Sequence, residues 1–299
     1  MITAVWIRLS RFKALNSPIS GWSLTMYQQL SEDDFQKLAD MAKKEFGLSL
    51  PLNKMYLIQN RLSKRLQQHS CEDYRSYIQV LESNQSELVH FINSLTTNKT
   101  EFFREIDHFS FLSDVALPEW QRKHPTRKLI YVWCAAASTG EEPLTLAMVL
   151  ARFAKSRNLD FRILATDIDT TVLDFASKGI YPEHRIHDMP EDYLKEFFLK
   201  GRGSHQGSFR ADPELLQHIK YRRFNLIRDN LATHFNFDFI FLRNVLIYFD
   251  RPTVHQVVDR LLSHLEQTGY FFVGHSESLH TMSHKIQSVA PAVYRQRLL

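Results

Sequence analysis

Three short stretches hold the residues best suited to chemistry. The first, Trp133-Cys134-Ala135-Ala136-Ala137-Ser138-Thr139-Gly140-Glu141-Glu142-Pro143, is a run of small side chains ending in two glutamates. Small residues let a ligand approach the backbone and lead into a helix whose amide ends are free. A pyrophosphate-binding turn would need three glycines, and only Gly140 is present. Glu141 and Glu142 would repel a phosphate but suit an amino group or a sulfonium-bearing amino acid, and they favour the helix dipole. The second stretch is Thr166-Asp167-Ile168-Asp169, where a carboxylate at a strand end can accept from both hydroxyls of a ribose. Asp167 is the expected clamp, and Asp169 the expected cap of a helix starting near Thr170. The third is Arg243-Asn244, a polar pair interrupting the apolar run FDFIFLRNVLIYFD. Buried polar groups are costly without partners, so the pair marks a site, the alternative being a helix start capped by Asn244.

These stretches need strands to carry them. After Leu129 the sequence alternates short apolar runs (LIYVW, FRILAT, FDFIFL, GYFFVG) with helical stretches, the pattern of a doubly wound parallel α/β sheet. The closing VAPAVYRQRL reads as one more strand at a mixed edge. Residues 181–218 break the alternation with Pro182, Pro190, Gly201, Gly203, Gly207 and Pro213, and read as an inserted β-subdomain containing the strand SFRA. From Met26 to about Asn98, apolar residues recur three and four apart, as in a small helical bundle. The expected division is an extension at 1–25, a helical domain at 26–97, a linker at 98–112 and an α/β domain at 113–299.

Composition narrows the class. The chain has 299 residues, 44% hydrophobic and 23% charged, in the range of an ordinary globular protein. No apolar run approaches the ~20 residues of a bilayer span, so no membrane insertion is expected. Cys71 and Cys134 stand far apart without metal-ligand spacing, which argues for a reducing compartment, hence the cytoplasm, and against a metal site. A formal charge of +4 does not demand a nucleic-acid footprint. In residues 54–69, helical spacing brings Lys54, Arg61, Lys64, Arg65 and Gln68 near one face, a basic stripe suited to an acidic helix, the plain alternative being a solvated face. That face lacks the aromatic residues that would stack bases.

The motifs NKTEFFRE, VWCAAASTGEEP, ATDIDT, FLRNVLIYFD and GHSESL, in this order and spacing, resemble the chemotaxis receptor glutamate methyltransferase (CheR) family over roughly Met26 to Leu299. The resemblance implies a helical N-terminal domain joined to a methyltransferase domain with a small β-subdomain. It further implies transfer of a methyl group from S-adenosylmethionine to receptor glutamates, with S-adenosylhomocysteine as the other product. By position it assigns cofactor contacts to Asn98, Thr100, Arg104, Ala136, Glu142, Asp167, Asn225, Leu226, Arg243 and Asn244. Cys134 stands where the family often has Ser, with little consequence expected. Arg104 and Tyr248 are expected beside the methyl, the guanidinium fixing a carboxylate and the phenol donating one more bond or packing on the sulfonium. Their alternatives are an ion pair of Arg104 with Glu101 or Glu105, and core packing of Tyr248. The resemblance also has the basic helix grip the receptor's methylation region, and matches Gly201, Gly203 and Gly207 to members that dock a receptor's C-terminal pentapeptide; a flexible turn is the alternative. The enzyme is expected to act as a monomer.

Overall fold

The computed structural model describes residues 29–96, 98–231 and 235–297; the expected extension at 1–25 lies outside them. The first unit is four helices: α1 (Glu32–Phe46), α2 (Met55–Gln68), α3 (Tyr74–Ser83) and α4 (Gln85–Leu95). Their ends are written in the sequence. Ser31 caps α1 by accepting from the Asp34 amide, and Asn84 both ends α3 and caps α4 through the Ser86 and Glu87 amides. The apolar spacings close on one core containing Phe35, Leu38, Leu62, Leu66, Tyr77 and Phe91.

A short connection leads to α5 (Ile106–Phe111), which runs through a π-type turn at Leu112–Ala116 into α6 (Leu117–Lys123). Within the segment expected as a linker at 98–112, Ile106 begins a helix whose buried side chains His108 and Phe109 pack on the sheet. There follow β1 (Leu129–Cys134), α7 (Glu141–Lys155), β2 (Asp160–Asp167), α8 (Thr170–Lys178), β3 (Ile180–Pro182), α9 (Glu191–Phe197), β4 (Phe198–Lys200), β5 (Ser208–Ala211), α10 (Pro213–Leu216), β6 (Ile219–Arg223), β7 (Phe237–Leu242), α11 (Arg251–Leu262), β8 (Leu265–Val273), β9 (Ile286–Ala290) and β10 (Val293–Gln296).

The main sheet has the order β6-β2-β1-β7-β8-β10-β9, parallel from β6 to β8 and antiparallel at β10 and β9. The closing segment read as one strand is a hairpin: the chain turns at Ala292, which has φ +56°, and returns as β10. Side chains alternate between two cores. Ile130, Val132, Phe239 and Phe241 face α5 to α7, while Trp133, Ile240 and Leu242 face α11. Burial on both faces explains the nearly continuous apolar runs. The chain runs outward from β1 through β2 to β6 on one side and from β7 to β8 on the other. A crevice therefore opens at the carboxyl ends of β1 and β7, where such sheets bind ligands. The inserted strands form a separate three-stranded sheet, β3-β5-β4.

Two backbone contacts join the helical unit to the α/β unit beside that crevice. Leu48 bridges Phe249 in antiparallel fashion, and the Ser49 amide donates to the Tyr248 carbonyl at 2.9 Å. Around them, Asn225 Nδ2 donates to the Glu45 carbonyl at 2.8 Å, and Lys43 pairs with Asp250 at 2.7 Å.

Candidate active site

The crevice is a cleft of about 1380 Å³, its open mouth included, between the helical unit and the carboxyl ends of β1, β2 and β7. Asn98, Thr100, Arg104, Ala136, Glu142, Asp167, Asn225, Leu226, Arg243, Asn244 and Tyr248 all line it, as do Lys54 and Arg61. Four residues at or beside it hold left-handed backbone despite having side chains: Phe103 (φ +55°), Glu105 (φ +55°), Ser138 (φ +46°) and Asn244 (φ +60°). Strain of this kind persists where surrounding contacts enforce it.

The two aspartates divide their roles. Asp169 caps α8, accepting from Thr171 and Val172, and its second oxygen accepts from Asn98 Nδ2 at 3.0 Å. Asp167 Oδ2 accepts the Ser138 amide at 2.8 Å and Oδ1 the Asp169 amide at 3.0 Å, leaving each oxygen a lone pair. Burial pushes the Asp167 carboxyl above its ordinary value despite these amides, so further donors in the cleft would stabilise its charge.

The two glutamates also separate. Glu141 is fully buried and accepts from Thr139 Oγ1 (2.6 Å) and Arg185 Nη1 (2.8 Å), tying the loop to the inserted segment; only Glu142 reaches the cleft. Gly140, just before them, turns the chain into α7 at φ +95°, and a Cβ there would lie 2.7 Å from Ala176 Cβ and Tyr181 Oη. Glu142 accepts from Arg243 Nη1 at 2.5 Å and from the Cys134 thiol at 3.3 Å. Burial, reinforced by Glu142, raises the thiol well above its ordinary value and keeps it a neutral donor.

Arg243 is held from three sides, by Glu142, by Glu105 Oε2 (2.9 Å) and by the Arg104 carbonyl. Glu105 was not singled out from sequence, although it ends the motif NKTEFFRE. Its Oε1 also accepts Asn244 Nδ2 and the His275 amide, both at 3.3 Å. Burial pushes Glu105 up, but the Arg243 charge and these hydrogen bonds hold it below the usual carboxylate value. His108 and His275 stand close to Glu105. Burial, aided by Arg243, depresses His108 to about 4, so it is neutral at pH 7. With the Arg243 guanidinium against it and its oxygens taken, Glu105 joins β7 to the segment before α5.

Arg104 donates to the Lys99 carbonyl at 3.0 Å and, among the described residues, pairs with neither Glu101 nor Glu105. Tyr248 is half-buried on the cleft wall rather than in the core. Asn244 lies just before a single helical turn, Leu246–Tyr248, and does not cap it through its side chain. Asn225 lines the cleft, but its amide is largely committed to the Glu45 carbonyl and to the Ile227 and Arg228 amides. Apolar lining beside it comes from Leu226, Phe224 and Ile168.

Family models match in two parts: the CheR methyltransferase all-alpha domain over residues 33–96, and the CheR methyltransferase SAM binding domain over residues 98–294. The chain belongs to the CheR methyltransferase family. It is 40% identical over 278 residues to chemotaxis protein methyltransferase 2 of Pseudomonas aeruginosa, covering 93% of this chain and 97% of that one. To the chemotaxis protein methyltransferase of Escherichia coli it is 36% identical over 267 residues, covering 89% and 91%. Among solved structures, the DhpI–SAH complex overlaps with a TM-score of 0.32 at 11% identity, covering 62% of this chain and 83% of that one, a likeness too slight to carry weight. The expected fold class, an all-α domain before an S-adenosylmethionine methyltransferase domain, stands, and so do the cofactor and the enzyme class.

The residues fit that cofactor. Asp167 has acceptor capacity for a ribose, the apolar lining suits an adenine, and Glu142, with Asn98 and Thr100 also lining the cleft, suits the amino-acid end. Of the expected basic stripe, Lys54 and Lys64 are exposed, and Arg61 Nη1 donates to the Leu95 carbonyl at 2.7 Å. Arg65 departs from expectation. Its guanidinium pairs with the buried Glu87, which also accepts from Tyr77 Oη and faces His69 Nε2, both at 2.7 Å, so Arg65 holds α2 to α4 rather than facing outward. In the inserted sheet, Gly201, Gly203 and Gly207 occupy the connection between β4 and β5. Gly203 (φ +60°) and Gly207 (φ +79°) shape its turns, and a Cβ on Gly201 would strike the His205 carbonyl.

Proposed function

We propose that this enzyme transfers the methyl group of S-adenosylmethionine to glutamate side chains of a chemotaxis receptor, forming a glutamyl methyl ester and S-adenosylhomocysteine. The observation that carries this reading is the convergence of Asp167, the Glu142–Arg243 pair, Arg104 and Tyr248 on one cleft, walled on its outer side by the helical unit. The names of the relatives support a chemotaxis acceptor.

When bound, the cofactor supplies a methyl on a positively charged sulfur, which leaves with the C–S electron pair as the carboxylate oxygen forms the new bond. An ordinary glutamate, pKa about 4.3, is already ionised at neutral pH, so the protein needs no general base. Its task is alignment, which can supply several kcal/mol, up to ~7–11 in ideal intramolecular cases. Asp167 would hold the ribose, Leu226 and Asn225 the adenine region, and Asn98, Thr100, Ala136, Glu142, Arg243 and Asn244 the remainder. Arg104 would fix the acceptor carboxylate, and Tyr248 would donate to it or pack beside the sulfonium. A dry cleft favours the reaction because opposite charges neutralise one another along it.

Lys54, Arg61 and Lys64 are the residues of α2 and its preceding turn proposed to meet an acidic receptor helix. The inserted sheet leaves β3 and β4 as edges, to which a receptor's C-terminal pentapeptide could add by strand pairing and raise the local acceptor concentration. We place the enzyme in the cytoplasm as a monomer; no helix among the described residues is long and apolar enough to cross a membrane. Incubation with radiolabelled S-adenosylmethionine and receptor-rich membranes should give label released as methanol by mild alkali. Alkali-stable label, or none, would sink the ester assignment.

A further inference from the structure

The motif GHSESL contributes a buried carboxylate that the reading above does not use. Glu277 is 5% exposed, and its Oε2 accepts the Asn244 amide at 2.8 Å and the Gly274 amide at 2.6 Å. Its buried Oε1 has no hydrogen-bond partner among the described residues, the nearby backbone amides of Leu246 and Ile247 favouring its charge, and the Glu277 amide donates back to the Gly274 carbonyl at 2.8 Å. One side chain from the loop after β8 thus ties the first residue of the segment linking β7 to Tyr248 to the backbone of its own loop. That segment departs from regular structure at Asn244, whose φ of +60° suits few residues with side chains. Gly274 fits the arrangement, since a Cβ there would collide with Asn244 Nδ2.

We propose that Glu277 is the positioning residue of the Asn244–Tyr248 turn, fixing its left-handed start so that the Asn244 side-chain Nδ2 reaches Glu105 and the Tyr248 phenol stands on the cleft wall. The inference deepens the proposed function and rests on its placement of Asn244 and Tyr248 at the cofactor and acceptor. Carrying a carboxylate into this environment is costly, and burial pushes Glu277 above its ordinary value even with the amides in place. For packing alone, an apolar residue would fill the space without that cost. What the carboxylate adds is a set of acceptors for amides that no strand or helix serves where the chain leaves β7.

The test uses the full chain carrying Glu277→Ala and Glu277→Gln, the glutamine keeping one acceptor oxygen and the side-chain shape. Hydrogen exchange on folded protein should quicken in peptides covering residues 243–249 and 274–277 and stay unchanged in β1, β2 and α7. Unchanged exchange at 243–249, or quickening throughout the sheet, would overturn the proposal. Because small misplacements at a reacting centre cost up to about 100-fold, kcat should fall about tenfold or more in Glu277→Ala and less in Glu277→Gln. In a Tyr248→Phe background the same substitutions should cost much less, since they act through a turn that has lost its hydroxyl. An undiminished loss there would show that Glu277 acts elsewhere and overturn the proposal. Should Glu277→Ala not fold, Glu277→Gln carries both measurements. Failure of the underlying reading is separately visible as an unaltered rate for Tyr248→Phe alone, and the exchange pattern then decides the role of Glu277.

Discussion

Asp167→Asn is the sharpest probe of the cofactor cleft, because the structure shows what the carboxylate has already spent. Its two oxygens each accept one backbone amide, at 2.8 Å and 3.0 Å, and a carboxylate has roughly four acceptor sites, so about two remain for ribose hydroxyls. Asparagine keeps one acceptor oxygen and turns the other into a donor that faces an amide. Losing one hydrogen bond to a charged acceptor costs roughly 1.5–3 kcal/mol, a weakening of about 10- to 150-fold in cofactor affinity. The fold also suffers, since a buried amide at Ser138 or Asp169 loses its acceptor, at about 1–3 kcal/mol. Calorimetric titration with S-adenosylhomocysteine, well below the melting temperature of the variant, separates the two effects. A pH series adds a second check. Ribose donors favour the ionised carboxylate, and burial has raised its pKa, so wild-type affinity should weaken on acidification toward that value while the variant's changes less. A folded Asp167→Asn protein that binds within about twofold of wild type would refute the ribose role, because no charged hydrogen bond in that position is worth so little.

Other outcomes are expected. Lys64→Glu should cut receptor methylation several-fold at low salt, where charge steering is strongest, and leave S-adenosylhomocysteine affinity intact; loss of both would point to misfolding. Arg65→Ala should instead destabilise the helical unit by about 3 kcal/mol in denaturant titration, because it strands the buried Glu87, with the other Glu87 partners limiting the damage. Glu119, which burial pushes up, is held down to about 2 by hydrogen bonds from Lys123, Tyr270 and Arg295. Its folded pKa lies below the unfolded value, so its contribution is full above about pH 4.5 and is lost as pH falls toward 2. The urea-midpoint gap between wild type and Glu119→Gln should accordingly shrink below pH 4.5, and a pH-independent gap would contradict the assignment. Cys134→Ser should retain activity within about twofold, since a hydroxyl can donate to Glu142 in place of the thiol.

What could be read from sequence, and what could not, follows from the range of the interactions involved. β1, β2, β7 and β8 were legible because the stretches of each strand buried on both faces are largely apolar. β6, Ile-Lys-Tyr-Arg-Arg, was not: as the sheet's edge it carries charge, which hides the strand pattern while protecting the edge from unwanted pairing. The C-terminal hairpin passed for one strand because Pro291-Ala292 lies within an alternating pattern, and the tightness of that turn depends on a backbone angle. Asp167 and Asp169 could be told apart, since capping is local and strand ends have a known geometry. Arg65 could not be placed, because helical spacing gives the face of a residue but not the Glu87 that meets it 22 residues later. Glu105 and Glu277 had a signal in FFRE and GHSESL, yet their partners are Arg243 and Asn244 on other elements.

The antiparallel contact of Leu48 with Phe249, and of the Ser49 amide with the Tyr248 carbonyl, bears on how such enzymes can be recombined. A graft that transplants a foreign helical unit by cutting at the connection near residue 97 would bring a new neighbour to Tyr248 along with the new receptor preference. The helical unit, proposed to read the acceptor, and the turn that carries the phenol are stitched together, so altering one should retune the other. Chimeras that keep residues 46–50 native to the recipient while exchanging the exposed face of α2 should change which receptor is methylated without slowing the transfer. Chimeras that replace 46–50 should slow it on every receptor.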